Sequence, residues 1–150
     1  MCGDHTQRES LGGALAVLSP SLPKTGISPA FMAGQLVFHD RGKGSSMATH
    51  AMFTADSSDA SHSNISEPCL VRIHETGDLT RPVMTSPLWC TFSLKPAAGN
   101  LGDSQKWSME AELGQPMKVE VGSDGIIGRR VSVWTQQDAA PVAEGIIGFN

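Results

Sequence analysis

Sixteen glycines and nine prolines spread over 150 residues leave few stretches long enough for a helix. Glycine admits backbone torsions that other residues avoid, and proline continues neither a helix nor a central strand. What survives between them alternates. Gln35 to His39 sets Leu36 and Phe38 on one face before the loop-like Asp40-Arg41-Gly42-Lys43-Gly44. Cys69 to Glu75 sets Cys69, Val71 and Ile73 against Arg72 and His74, and Trp89 to Lys95 sets Cys90, Phe92 and Leu94 together. Period two is the signature of a half-buried strand.

Two segments are less plain. Met47 to Ala55 fits period two through Met47, Thr49, Ala51, Phe53 and Ala55, and helical spacing through Met47, Ala48, Ala51, Met52 and Ala55; strand is the preferred reading. Trp107 to Leu113 alternates Trp107, Met109, Ala111 and Leu113 against Ser108, Glu110 and Glu112. Gly114-Gln115-Pro116 then separates it from Met117, Val119 and Val121, which reads as a hairpin. Leu11 to Leu18 is a strand or a helical turn ended by Ser19-Pro20, and Val131 to Gln137 and Val142 to Phe149 form a final pair of strands. The string Gly125-Ile126-Ile127-Gly128 recurs as Gly145-Ile146-Ile147-Gly148, a spacing suited to bulges or close backbone approach. Eight or nine short strands at regular turn spacing predict a mainly β chain of one domain, residues 1–150, folded as an antiparallel β-barrel or β-sandwich behind a mobile segment 1–10.

Charge and cysteine usage narrow the function classes. A formal net charge of −4 with pI near 5.6 argues against a nucleic-acid partner, which requires a clustered basic surface. Leu11 to Leu18 is too short to cross a bilayer and follows no basic leader, so no membrane segment is expected. Three cysteines without paired spacing (Cys2, Cys69, Cys90) fit free thiols in a reducing, cytoplasmic setting. His39, His50, His62 and His74 show no metal-binding spacing, so no metal is expected. Gly42-Lys43-Gly44-Ser45 lacks the upstream glycine of a phosphate loop, and no cofactor is expected.

The apolar positions are more informative. Phe38, Phe53, Phe92, Trp107, Met109, Met117 and Trp134 fall on inward faces, and there is no Tyr. Met and Trp give adaptable apolar contact, so these residues are the candidate lining of an internal cavity for a small apolar or aromatic molecule. The polar residues best placed on such strands are His50, Arg72, His74 and Glu110. A histidine and a carboxylate transfer protons and an arginine holds an oxyanion, so they are the candidate catalytic set. The expected protein is a carrier, or a cofactor-independent cyclase or isomerase that works by shaping its ligand. A homodimer is compatible with it. A non-catalytic lectin-like or interaction β-sandwich is a further alternative.

Gly128-Arg129-Arg130-Val131 and Val142-Ala143-Glu144-Gly145 resemble the last hairpin of hotdog-fold acyl-CoA thioesterases. The resemblance implies an α+β fold, acyl-CoA hydrolysis, and a central helix carrying a catalytic carboxylate. Ser46 to Asp56 is the stretch that would form that helix, with Asp56 as the carboxylate.

Overall fold

A computed structural model describes residues 12–20, 33–40, 46–56, 67–97, 107–136 and 141–150. The opening segment 1–10, the glycine-lysine loop 42–45, and the polar loop 57–66 with His62 lie outside the described residues. Nine strands follow one another: β1 (Ala14–Pro20), β2 (Gly34–His39), β3 (Met47–Ala55), β4 (Cys69–His74), β5 (Leu88–Pro96), β6 (Ser108–Val121), β7 (Gly125–Ile127), β8 (Arg130–Trp134) and β9 (Ala143–Phe149). A single 3-10 turn, Val83–Thr85, is the other regular element among the described residues, and none of their helices is long and apolar enough to cross a membrane.

Eight strands close on themselves in the order β1-β2-β3-β6-β5-β4-β8-β9, every pairing antiparallel, and β7 adds to β6 in parallel. Antiparallel barrels of this kind remove most free sheet edges. The chain passes from β3 to β4 across the place that β6 and β5 later fill, so β3 lies beside β6 and β4 beside β8. That return is a Greek-key connection.

Alternation decides what lies inside. Ala16, Leu36, Phe53 and Met109 face one another in a row across β1, β2, β3 and β6, and Ala14, Phe38, Ala51 and Ala111 form the next row. Phe38 meets Phe92 edge-on at 6.0 Å although their strands are not neighbours, so both rings point to the barrel axis. Val71, Ile73, Leu94, Ile126, Val131, Val133 and Ile147 complete an interior from which water is excluded. An eight-stranded barrel is just wide enough for side chains to fill, and here small residues stand beside large ones to fit it. Each buried Phe, Leu or Ile contributes about 1.5–3 kcal/mol over its exposed state.

The structure departs from the sequence reading in two places. The stretch 46–56, which the thioesterase resemblance requires as a helix, holds strand β3, with Ala51, Phe53 and Ala55 of the expected period-two face buried and the inward position passing to Ala48 across the irregularity at Thr49. Asp56 follows that strand and is exposed. The expected hairpin around Gly114-Gln115-Pro116 is instead one long strand, β6, whose two halves both pair with β3. Glycine and proline here interrupt a strand without reversing it.

Candidate functional site: a window in the barrel wall

The interruption in β6 has a local cause. Ala48 faces Met117 and His50 faces Glu112, so Thr49 alone stands opposite Leu113-Gly114-Gln115-Pro116. Proline brings no N–H to a ladder, and glycine packs no side chain, so the β3–β6 ladder is interrupted along this stretch by an irregularity of the bulge kind. On its other edge β6 pairs with β5 only at Glu110 and Met109, opposite Lys95 and Pro96. Farther along, β7 takes that edge at Lys118 and Val121. Between these ends, Leu88–Ser93 of β5 and Ala111–Met117 of β6 have no strand partner across the gap among the described residues. The barrel wall therefore has a window closed at both ends.

The window opens on a cleft of about 570 Å³ lined by Met47, Trp89, Cys90, Phe92, Leu113 and Met117, with Lys118 and Asp124 at its exposed margin. Phe92 rests on Phe38, so the floor is the barrel core itself. Trp89 is held from behind by Arg129, whose guanidinium lies 4.2 Å from the ring centre. Arg129 is buried, and among the described residues no carboxylate pairs with it. It donates from Nε to the Gly125 carbonyl at 2.7 Å and from its terminal nitrogens to Glu75 at 2.9 Å, Ser123 at 2.8 Å and Gly122 at 3.3 Å. Four carbonyl dipoles thus offset the charge and fix the loop after β6 around the tryptophan. Burial pushes the Cys90 thiol up, its contact with the Thr91 carbonyl opposing weakly, and burial takes Cys69 to about 11. Both remain thiols at neutral pH, so neither is an activated nucleophile.

A second groove of about 730 Å³, bordered by His39, His50, Lys95, Glu110 and Glu112, lies on the outer face over β3, β5 and β6. His39 and His50 stack there with ring centres 5.7 Å apart, and Glu112 faces His50 while Glu110 faces Lys95. The Thr49 hydroxyl donates to Asp40 at 3.1 Å and accepts from His50 Nδ1 at 2.7 Å, which leaves Nε2 of His50 as the acceptor nitrogen. No three His, Cys, Asp or Glu side chains among the described residues converge as a metal-binding group.

The four candidate catalytic residues fall in two places. His50 and Glu110 line the outer groove, whereas Arg72 and His74 lie on the far side of the barrel, on β4. There Arg72 stacks on Trp134 at 4.5 Å, and His74 is buried against Ser132 beneath the segment 75–87. Of the seven candidate lining residues, Phe92 and Met117 border the window. Phe38, Phe53 and Met109 lie in the packed core, Trp107 packs edge-on to Phe53 at 6.2 Å, and Trp134 sits on the outer face. Sequence reasoning missed Met47, Trp89, Cys90 and Leu113 as window residues. The signal available was a Gly-Gln-Pro break inside one continuous alternation, which marks where a strand must leave its neighbour. Compared with known protein-family models and with curated proteins, the chain matches none.

Proposed function

We propose that this is a binding protein that carries a small apolar or aromatic molecule in the window between β5 and β6. The observation that carries the proposal is the cleft of about 570 Å³ floored by Phe92 and walled by Trp89, Leu113 and Met117. Pockets for small molecules have this size, and Trp89, Phe92, Leu113 and Met117 give this one an apolar patch beside polar groups. A cavity along the barrel axis is not the place, because Phe38, Phe53, Leu94, Met109 and Ile126 fill it. Carriage is favoured over isomerisation or cyclisation, because the candidate catalytic His50 and Glu110 stand in the outer groove, Cys90 keeps its proton, and Lys118 and Asp124 lie only at the window's exposed margin.

Fluorescence titration with 1-anilinonaphthalene-8-sulfonate, an anionic dye whose aromatic rings bind apolar surface, tests this. Phe92→Ala and Met117→Ala should each weaken binding about tenfold, equivalent to about 1.4 kcal/mol, while Trp134→Phe leaves it unchanged. Melting curves identify variants that remain folded. Unchanged affinity in folded Phe92 and Met117 variants would defeat the proposal.

A further inference from the structure

We propose that the window also takes an extended peptide with apolar side chains at alternate positions, held by its main chain against the edge of β5 that has no strand partner among the described residues. The inference rests on the window being the binding site and adds the chemistry of its occupant.

Two features point to a peptide over a plain hydrocarbon. The first is the main chain. β5 pairs with β4 from Leu94 back to Leu88, but toward β6 its pairing stops at Lys95. Every residue there carries one donor and one acceptor, and successive residues of a strand direct them to alternate edges. Part of the hydrogen-bonding capacity of Leu88–Ser93 therefore faces the window, as does that of the bulged stretch of β6. An apolar molecule cannot meet it. A peptide can, by adding a strand.

The second feature is the alternation of the wall. Cys90 and Phe92 are half-buried at the cleft, where Leu113 and Met117 also line it, while Thr91 is exposed at its rim and Ser93 is exposed in the outer groove. A strand lying along β5 would send every second side chain inward onto Phe92, Leu113 and Met117, and the others outward level with Thr91 and Ser93. The inward positions accept Val, Ile, Leu or Phe, and the outward positions accept polar residues. Because β5–β6 pairing closes one end and β7 the other, the bound stretch is short. Six edge residues span about 20 Å, so about three to five peptide residues lie inside.

Calorimetric titration of the full chain with acetyl-Thr-Val-Thr-Val-Thr-amide, and with the same peptide N-methylated at every backbone amide, tests the main-chain requirement. The unmethylated peptide should bind at least tenfold tighter, and Phe92→Ala should weaken it about tenfold, a loss typical of one anchoring contact. Hydrogen exchange should slow at least tenfold for amides within Leu88–Ser93 when that peptide is bound. Equal binding of both peptides would mean that apolar contact alone holds the ligand, and would overturn the inference. Failure of both to bind, with normal dye titration, would remove the peptide and leave the window as an apolar site. Failure of dye and peptides together would remove both readings.

Discussion

Trp134, Ser132 and His74 form a chain in which each proton has one place to go. The indole N–H donates to Ser132 Oγ at 2.9 Å, the Ser132 hydroxyl donates to His74 Nε2 at 2.8 Å, and His74 Nδ1–H donates to the Ser86 carbonyl at 3.3 Å. The arrangement suits a neutral imidazole. Burial lowers the pKa of His74 below its ordinary 6.5, and the positive charges of Arg130 and Arg72 act in the same direction, while the Ser86 carbonyl and Glu144 oppose. The unfolded chain therefore takes up the proton first as pH falls. Stability from this group is complete above about pH 6.5 and is lost below it, by at most about 1.4 kcal/mol per pH unit, until the folded protein also protonates. Denaturant unfolding at pH 7.5 and at pH 5 should show wild type losing more stability than His74→Gln; equal losses would contradict the neutral, buried assignment. The alternation in the sequence correctly put Arg72 and His74 on the face opposite Val71 and Ile73. It could not show that this outer face is covered, because the cover comes from the 75–87 segment, pinned by Arg130 to the carbonyls of Asp78 and Arg81.

Strand β6 shows how an element can be read correctly in its parts and wrongly in its connection. Both alternating halves are present, but a break containing Gly and Pro fits a turn and a bulge equally well by local chemistry. Only the distant pairing of both halves with β3 distinguishes them. The repeated Gly-Ile-Ile-Gly string divides in a similar way. At Gly125 and Gly145 a side chain would run into the backbone carbonyl oxygens of Glu120 and Val17, so each copy opens on a close approach. The closing glycines differ, since Gly128 sits at φ +86° and Gly148 meets nothing nearer than the Leu15 carbonyl at 4.0 Å. Gly145→Ala should therefore cost about 1–3 kcal/mol through overpacking, and Gly148→Ala should stay within about 0.5 kcal/mol. Chemical denaturation of both variants checks this, and equal effects would mean that β1 and β9 are not packed as closely as described.

At the scale of the whole molecule, the alternating runs made strand content and the antiparallel pairing of the eight barrel strands legible. Closure was not legible, because β3 pairs with β6 and β4 with β8 across long intervals of sequence, and periodicity carries no information about partners. The site was half legible for the same reason. Phe92 and Met117 were visible as inward apolar residues, but so were Phe38, Phe53 and Met109, and only the barrel geometry separates a window from a core. The methionines report that separation directly, since Met47 and Met117 line the cleft, Met109 is in the core, and Met52 and Met84 are exposed. The decisive measurement is an NMR titration of methyl-labelled methionines with 1-anilinonaphthalene-8-sulfonate. Binding in the window predicts that the Met47 and Met117 methyl resonances shift together and saturably, while those of Met52, Met84 and Met109 stay in place. Shifts led by Met109 would mean that the ligand enters the barrel interior, shifts confined to Met52 or Met84 would place it on the outer surface, and either result would contradict a binding window in the wall.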